Sequence, residues 1–101
     1  MDGWKITSAY RHGEEVAKVY TKGPEIHIET FVTGRALTRR NVIEHLAPLI
    51  EEYGFATTRV PISETDHKLR TALGFTQTWN DDQFSYWVLT ELPFSRDKIC
   101  Q

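Results

Sequence analysis

Hydrophobic and polar residues alternate along the first third of the chain, in the period-two pattern of half-buried strands. The pattern covers WKITSAY (4–10), EVAKVYTK (15–22) and, after a Gly-Pro pair, EIHIETFV (25–32). Between the first two stretches lies RHGE, where Gly13 supplies the tight position of a hairpin turn. These residues predict three strands, of which the first two form a hairpin.

The apolar spacing then changes to that of an amphipathic helix. The stripe is formed by Val42, Ile43, Leu46, Leu49, Ile50 and Tyr53. Thr38 is a suitable N-cap, and Gly54 is a suitable residue just beyond the C-terminus. Pro48 lacks the N–H group that a helix interior requires. We therefore expect either a kink at Pro48 or two short helices, with this proline near the start of the second.

The remaining stretches predict a strand, a second helix and a terminal hairpin. FATTRVPI (55–62) is rich in β-branched residues, and its position after a helix indicates a crossover that leaves it parallel to residues 25–32. Ser-Glu-Thr-Asp (63–66) is close to a capping box and predicts a helix that ends at Gly74. TQTWN and FSYWVLTEL predict two paired strands, which Pro93 ends.

The predicted order of elements is βββ-α-β-α-ββ. Parallel strands at the centre and antiparallel hairpins on either side make a mixed sheet with a central βαβ unit, so the predicted class is α+β. At 101 residues, the chain has the length of one domain with one core.

Composition and charge narrow the range of functions. The chain is 40% hydrophobic and 26% charged, which is typical of a globular domain and argues against disorder. Its net charge of −2 gives no overall attraction to nucleic acid or anionic membranes. Cys100 is the single cysteine and has no partner for an internal disulfide, so we expect a cytoplasmic location. The sequence has no signal-peptide pattern and no apolar run of membrane-spanning length.

Two stretches of the chain carry a resemblance to a known family. HKLRTALGF (67–75), followed by a hairpin that ends in YWVLT, is similar to the GNAT acetyltransferases. In that family, a helix often runs into Leu-Gly-Phe and then into two strands. The hairpin with its acidic turn, TWNDDQFSYWVLT, also resembles small GNAT-like proteins of tailed bacteriophages, including internal virion proteins of short-tailed phages.

The resemblance covers residues 25–92 and implies the C-terminal two-thirds of the GNAT fold. It implies that residues 1–101 form a single truncated GNAT-like domain. In this division, residues 1–24 are an N-terminal hairpin, residues 25–92 are the GNAT-like core and residues 93–101 are a tail.

The resemblance also implies where a cofactor would bind. In GNAT enzymes, a glycine-rich turn before the long helix holds the pyrophosphate of coenzyme A with backbone N–H groups. The corresponding stretch here is FVTGRALTRRN (31–41), in which Thr38 and Arg40 occupy positions where the family has small residues. The candidate cofactor or anion site comprises Gly34, Arg35, Leu37, Thr38, Arg39 and Arg40. The alternative is a basic helix start that contacts only solvent.

The family's catalytic positions are not matched. Many GNAT enzymes have a tyrosine four residues before the glycine of Leu-Gly-Phe, and this tyrosine protonates the departing thiolate. Arg70 stands at that position and stays charged at neutral pH, so it cannot act as the acid. Ser63 replaces the family's frequent asparagine, and the strand and two helices that wall off the acceptor are replaced by a hairpin. We therefore predict no catalytic residue.

Other candidate chemistry is sparse, and the last hairpin is the clearest contact surface. The four histidines lack metal-ligand spacing, so no metal site is predicted. Strict alternation places Phe84 and Tyr86 on one face of the last strand and Ser85 and Trp87 on the other. A monomer of 101 residues cannot bury both aromatic faces without help. One face packs in the core, and the other either packs on a helix or forms an interface with another chain. The candidate interface comprises Trp79, Phe84, Tyr86 and Trp87.

These observations predict a non-catalytic GNAT-like protein of phage type that acts by protein–protein contact, in the virion or on a host target. Its partner would be another protein chain or a second copy, with no cofactor and no membrane. The alternative is a minimal acetyl-CoA-dependent N-acetyltransferase. A third and weaker hypothesis is contact with nucleic acid, which would use Arg35, Arg39, Arg40 and Arg59. The overall acidity of the chain disfavours this hypothesis.

Overall fold

The computed structural model describes residues 3–31 and 37–92. The elements are β1 (Lys5–Arg11), β2 (Glu14–Lys22), β3 (Glu25–Thr30), α1 (Arg39–Tyr53), β4 (Ala56–Pro61), α2 (Lys68–Leu73), β5 (Thr76–Asn80) and β6 (Phe84–Leu89). The predicted turn at Gly34 and the predicted end of the hairpin at Pro93 lie outside the described residues.

The strands form one mixed six-stranded sheet in the order β1-β2-β3-β4-β6-β5. All neighbouring pairs are antiparallel except β3 and β4, which are parallel. The turn between β1 and β2 has φ of 53° at His12 and 82° at Gly13. Two consecutive positive φ angles match the twist of a tight hairpin, so the prediction of a turn at Gly13 is confirmed. The α+β class is confirmed as well.

Both helices pack against the same face of the sheet. Val42 and Leu46 of α1 belong to one buried cluster with Ile26, and Leu73 at the end of α2 joins the same cluster. The two crossovers, β3-α1-β4 and β4-α2-β5, advance in the same direction across the sheet, and right-handed crossovers then place their helices on one side. We call this side the helix-covered face and the opposite side the open face.

The core lies between the helices and the helix-covered face. Its buried members are Val19, Ile26, Val42, Leu46, Leu49, Ala56, Leu73, Phe75, Trp87 and Leu89. A smaller buried cluster of Ala9, Val16 and Ala17 lies under the start of α1 and shares Ile28 and Leu37 with the main core. The open face therefore receives no helix from the described part of the chain.

Helix α1 begins and ends where the sequence predicts. The Thr38 hydroxyl accepts from the backbone N–H of Asn41 at 3.2 Å, and Asn41 Oδ1 accepts from the backbone N–H of Thr38 at 3.0 Å. This pair closes a capping box, and Gly54 ends the helix with φ of 86°. Pro48 lies inside one continuous helix, so the alternative of two short helices is wrong.

Helix α2 begins later than predicted and has six residues. Its N-cap is His67, which makes no side-chain capping bond, so the predicted helix start at 63–66 is wrong. The reason is local competition for the backbone. Glu64 accepts from the N–H of Asp66, and Asp66 accepts from the N–H of Lys68. These bonds hold the segment in a loop. The predicted end of the helix at Gly74 is confirmed, with φ of 97°.

Strands β3 and β4 diverge soon after they meet. Their register contains one pair, Glu25 with Thr57, and the Thr57 N–H donates to the Pro24 carbonyl at 2.8 Å. The prediction that these strands lie parallel and adjacent is confirmed. Beyond the pair, a cleft separates them on the helix-covered face, and this divergence determines the position of one of the two sites considered next.

Candidate functional site

A chain of contacting polar and aromatic side chains crosses the open face from Trp4, just before β1, to Trp79 in β5. Alternation along each strand determines which residues point to this face, and the register places them side by side. We call this set the open-face patch. Its members are Trp4, Glu25, His27, Arg59, Trp79, Phe84 and Tyr86.

The half of the patch near β3 is ionic. His27 donates from Nε2 to the Glu25 carboxylate, and the same carboxylate lies 3.6 Å from Nε of Arg59. The Trp4 ring contacts the His27 ring in a tilted arrangement, with 5.4 Å between centroids and 58° between planes. Glu25 therefore links a histidine of β3 to an arginine of β4 across the single parallel pair. Because the arginine is about half exposed, this link contributes mainly to orientation and little to stability.

The half of the patch near β5 is aromatic. The Arg59 guanidinium carbon lies 4.9 Å from the centre of the Phe84 ring. Phe84 in turn contacts Tyr86, and Tyr86 stacks on Trp79 with 5.2 Å between centroids and 26° between planes. Trp79 keeps 62% of its surface exposed, the largest fraction among the exposed large hydrophobic side chains of the described residues. An exposed tryptophan held in a fixed stack is available for contact with another molecule.

Asp81 fixes the aromatic half. Its Oδ1 accepts from the backbone N–H groups of Gln83 and Phe84 at 2.8 and 2.7 Å, and its Oδ2 accepts from the Tyr86 hydroxyl at 2.8 Å. The bond from the Phe84 backbone, then those from Gln83 and Tyr86, lower the pKa of the Asp81 carboxyl. The same bond to Asp81 raises the pKa of the Tyr86 hydroxyl. The tyrosine ring is thus held in place for contact by a charged acceptor.

Three of the four residues predicted as an interface lie in the open-face patch, namely Trp79, Phe84 and Tyr86. The fourth, Trp87, lies on the helix-covered face and is only 6% exposed. Its ring contacts His67, and its Nε1 donates to the Ser85 hydroxyl at 3.0 Å. Trp87 is therefore a core residue in this fold, and its inclusion in an exposed contact surface is corrected.

The four described residues of the predicted cofactor site lie at the start of α1. Gly34 and Arg35 are outside the described residues. Leu37 is half-buried and packs on both core clusters, and the Thr38 side chain is used in the capping box. Arg39 and Arg40 are exposed in the first turn, which contains no acidic residue. Two of the six residues are therefore committed to folding, and Arg39 and Arg40 are exposed at the helix start.

The cleft between β3 and β4 is a second candidate site. Its volume is about 100 Å³, and its walls are largely apolar. The lining residues are Ile26, His27, Ile28, Thr58, Val60, Leu69, Arg70, Leu73 and Phe75. Arg70, at the position of the GNAT acid, donates from Nη2 to the Asp66 carbonyl and to Nδ1 of His67, both at 2.7 Å. Its guanidinium also lies 5.4 Å from the Trp87 ring, so these contacts hold the side chain at the wall of the cleft.

Sequence reasoning did not find the ionic half of the patch. Glu25 and His27 share a phase in β3, which the alternation shows, but the contact of Glu25 with Arg59 depends on the pairing of Glu25 with Thr57. Arg59 is two residues beyond that pair and so points to the same face. Sequence reasoning considered it only as one member of a basic set. The signal in the sequence that could have identified the ionic half was the phase of these charged residues within their strands.

The part of the chain that the structure describes contains no group of three or more potential metal ligands. None of its described helices combines the length and apolar character needed to cross a bilayer. Comparison of the chain with family models, curated proteins and solved structures gave no match. The resemblance to GNAT proteins therefore stays a prediction based on the residues quoted above.

Proposed function

We propose that the protein acts by non-catalytic contact with another protein chain and that the open-face patch is the contact surface. The observation that carries this proposal is the stack of Trp79 on Tyr86 on a sheet face that no described helix covers. Tryptophan, tyrosine and arginine are the residue types that contribute most to protein–protein binding energy. The patch supplies one of each in Trp79, Tyr86 and Arg59.

The geometry of the patch supports binding more than reaction. Its side chains are already held in place, since Asp81 fixes Tyr86 and Glu25 contacts Arg59. A surface that is ordered before binding loses less entropy when the partner arrives. The mixed charge of the patch also fits a protein surface better than the uniformly negative backbone of a nucleic acid. The GNAT-like frame and the association with a virion or host target remain part of this proposal.

Site-specific photocross-linking in cells tests the proposal. A photoreactive phenylalanine analogue replaces Trp79 in one variant. In the control variant it replaces Tyr53, which is 41% exposed at the end of α1 and belongs to the helix side of the molecule. We expect one specific adduct from position 79 and none from position 53. The purified partner should then bind the wild-type protein, and Trp79→Ala and Arg59→Ala should each weaken binding about tenfold or more, while Tyr53→Ala leaves it unchanged. Equal adducts from both positions, or equal binding by all variants, would refute the proposed surface.

A second candidate is a minimal acetyl-CoA-dependent N-acetyltransferase. The observation that favours it is the divergence of β3 and β4 after one register pair, which opens an apolar cleft beside α2. The segment from Gly34 to Arg40, with Arg35 and the exposed Arg39 among its members, would hold the pyrophosphate before α1. The proton from the acceptor would pass to water, because Arg70 cannot accept or release it at neutral pH.

Isothermal titration calorimetry with acetyl-CoA separates the two candidates. The contact proposal expects no saturable binding at micromolar to millimolar concentrations. The enzyme candidate expects binding that the double change Arg35→Ala and Arg39→Ala abolishes, together with release of free thiol in the presence of an amine. Binding with turnover would replace the contact proposal. Binding that both arginine changes leave intact would exclude the enzyme site described above.

A further inference from the structure

A bulge in β5 turns Trp79 toward the open face. In the ladder with β6, Gln77 pairs with Trp87, and Trp79 pairs with Tyr86. Thr78 lies between these two pairs and is therefore an extra residue of β5. In regular alternation, Trp79 would share a face with Gln77. That is the helix-covered face, because Trp87 lies in the core. The bulge therefore brings Trp79 to the open face, whereas regular pairing would direct it to the other side.

The ring of Trp79 has one face in contact with the protein and one face in solvent. Tyr86 stacks on the first face with 5.2 Å between centroids and 26° between planes. Because 62% of the residue is exposed, the second face is open to another molecule. The face of an aromatic ring is the negative part of its quadrupole and attracts cations. The patch already contains one such contact, in which the Arg59 guanidinium carbon lies 4.9 Å from the centre of the Phe84 ring.

The charge of the chain around this ring is negative. The stretch 71–95 contains no lysine or arginine, and its acidic residues are Asp81, Asp82 and Glu91. Asp81 accepts from the Tyr86 hydroxyl at 2.8 Å. A phenol that donates to a carboxylate gains electron density in its ring, which favours a cation over the stack. Trp79 thus combines an open ring face with carboxylates close to its stacking partner.

We propose that the outer face of Trp79 binds a cationic side chain of the protein partner, arginine in particular. The planar guanidinium group stacks on aromatic rings and is more weakly hydrated than the ammonium group of lysine. It also forms strong hydrogen bonds with carboxylates, and Asp82 is exposed in the turn that follows β5. An acidic side chain at the same place would be repelled by Asp81 and Asp82. The inference rests on the proposed function, since it names the chemistry of the residue that the partner brings to the patch.

NMR titration of the full chain, labelled with nitrogen-15, tests the inference with N-acetyl-arginine methylamide as the probe. The indole N–H signals of Trp4, Trp79 and Trp87 report separately on the ionic half of the patch, the proposed site and the core. At constant ionic strength, the Trp79 signal should move saturably with a Kd of roughly 5–50 mM, while the other two signals stay in place. N-acetyl-citrulline methylamide has nearly the same shape without the charge and should bind about two- to fivefold more weakly.

Two charge-matched variants separate a local site from the net charge of the protein. Asp82→Asn should weaken binding of the arginine probe about twofold. Glu29→Gln removes the same charge from an exposed position of β3 and should leave the Kd unchanged. The inference is overturned if the Trp79 signal does not move, if all three indole signals move alike, if the arginine and citrulline probes bind equally well, or if the two variants have equal effects. A specific cross-linked adduct from position 79, together with equal binding of the two probes, would overturn this inference and leave the proposed function intact.

Discussion

Asn41 joins the start of α1 to the edge of the sheet, and its replacement gives the most specific test of the packing described above. The residue is 4% exposed. Its Oδ1 accepts from the Thr38 backbone N–H at 3.0 Å, and its Nδ2 donates to the Tyr10 carbonyl at 3.2 Å. The Tyr10 carbonyl lies at the register shift of β1, so one side chain both caps the helix and holds the edge strand against it.

Asn41→Ala removes both side-chain bonds. Each such bond contributes about 0.5–1.5 kcal/mol net, so the free energy of unfolding should fall by about 1–3 kcal/mol. Thr38→Ala removes only the bond from the Asn41 backbone N–H to the threonine hydroxyl and should cost about 1 kcal/mol. We therefore expect the asparagine change to be the more damaging of the two.

Urea unfolding followed by tryptophan fluorescence measures both changes. With a slope of about 1–3 kcal/mol per molar urea, Asn41→Ala should lower the midpoint by about 1 M. Asn80→Ala, at an exposed position at the end of β5, is the matched control and should change stability by less than about 0.5 kcal/mol. The reasoning fails if Thr38→Ala destabilises as much as Asn41→Ala, because the bond to Tyr10 would then contribute nothing.

Three further predictions concern the core and the titrating groups. Leu46, on the buried side of α1, is 1% exposed, so Leu46→Ala should cost about 2–5 kcal/mol in urea unfolding, whereas Ile62→Ala, at a 44% exposed position, should cost less than about 1 kcal/mol. Burial lowers the pKa of His45 below its ordinary value of 6.5, so the unfolded chain binds more protons below that pH and stability should fall as the pH drops from 6.5 towards the folded-state pKa. His45→Gln should flatten this part of the stability–pH curve, and an unchanged slope would contradict the assignment. Tyr86→Phe should raise the pKa of the Asp81 carboxyl, followed by NMR titration, but leave it below 3.8 because two backbone N–H groups still donate to it.

Much of the fold could be predicted from local patterns. The period-two alternation and Gly13 predicted the first hairpin, and Thr38 and Gly54 predicted the ends of α1. These predictions succeeded because each feature depends only on residues close to it in the sequence. The start of α2 could not be predicted in this way. The sequence at 63–66 suits a capping box, but the two carboxylates within it, those of Glu64 and Asp66, accept from nearby N–H groups in a loop instead. Residues 63–66 can form either a helix cap or a hydrogen-bonded loop, and the sequence pattern does not show which of the two is more stable.

The candidate site was harder to predict, because it is assembled from distant parts of the chain. Phe84 and Tyr86 were assigned to a shared face by alternation alone. The exclusion of Trp87 required knowledge of which face the helices cover, and this depends on the direction of the crossovers. The contact of Arg59 with Glu25 required the register of the parallel pair. Local chemistry thus identified the aromatic residues, and only topology showed how they meet the charged ones.

The single register pair between β3 and β4, Glu25 with Thr57, has a mechanical consequence. Because β3 and β4 share only this pair, the sheet consists of two three-stranded ribbons, β1-β2-β3 and β4-β6-β5. Each ribbon is held together by its own antiparallel hydrogen-bond ladders. Under pulling force or mild denaturant, the contact between β3 and β4 should separate before either ribbon unfolds. Backbone amides at the contact between β3 and β4 should then exchange with deuterium faster than amides inside each ribbon, while α1 keeps the two ribbons together.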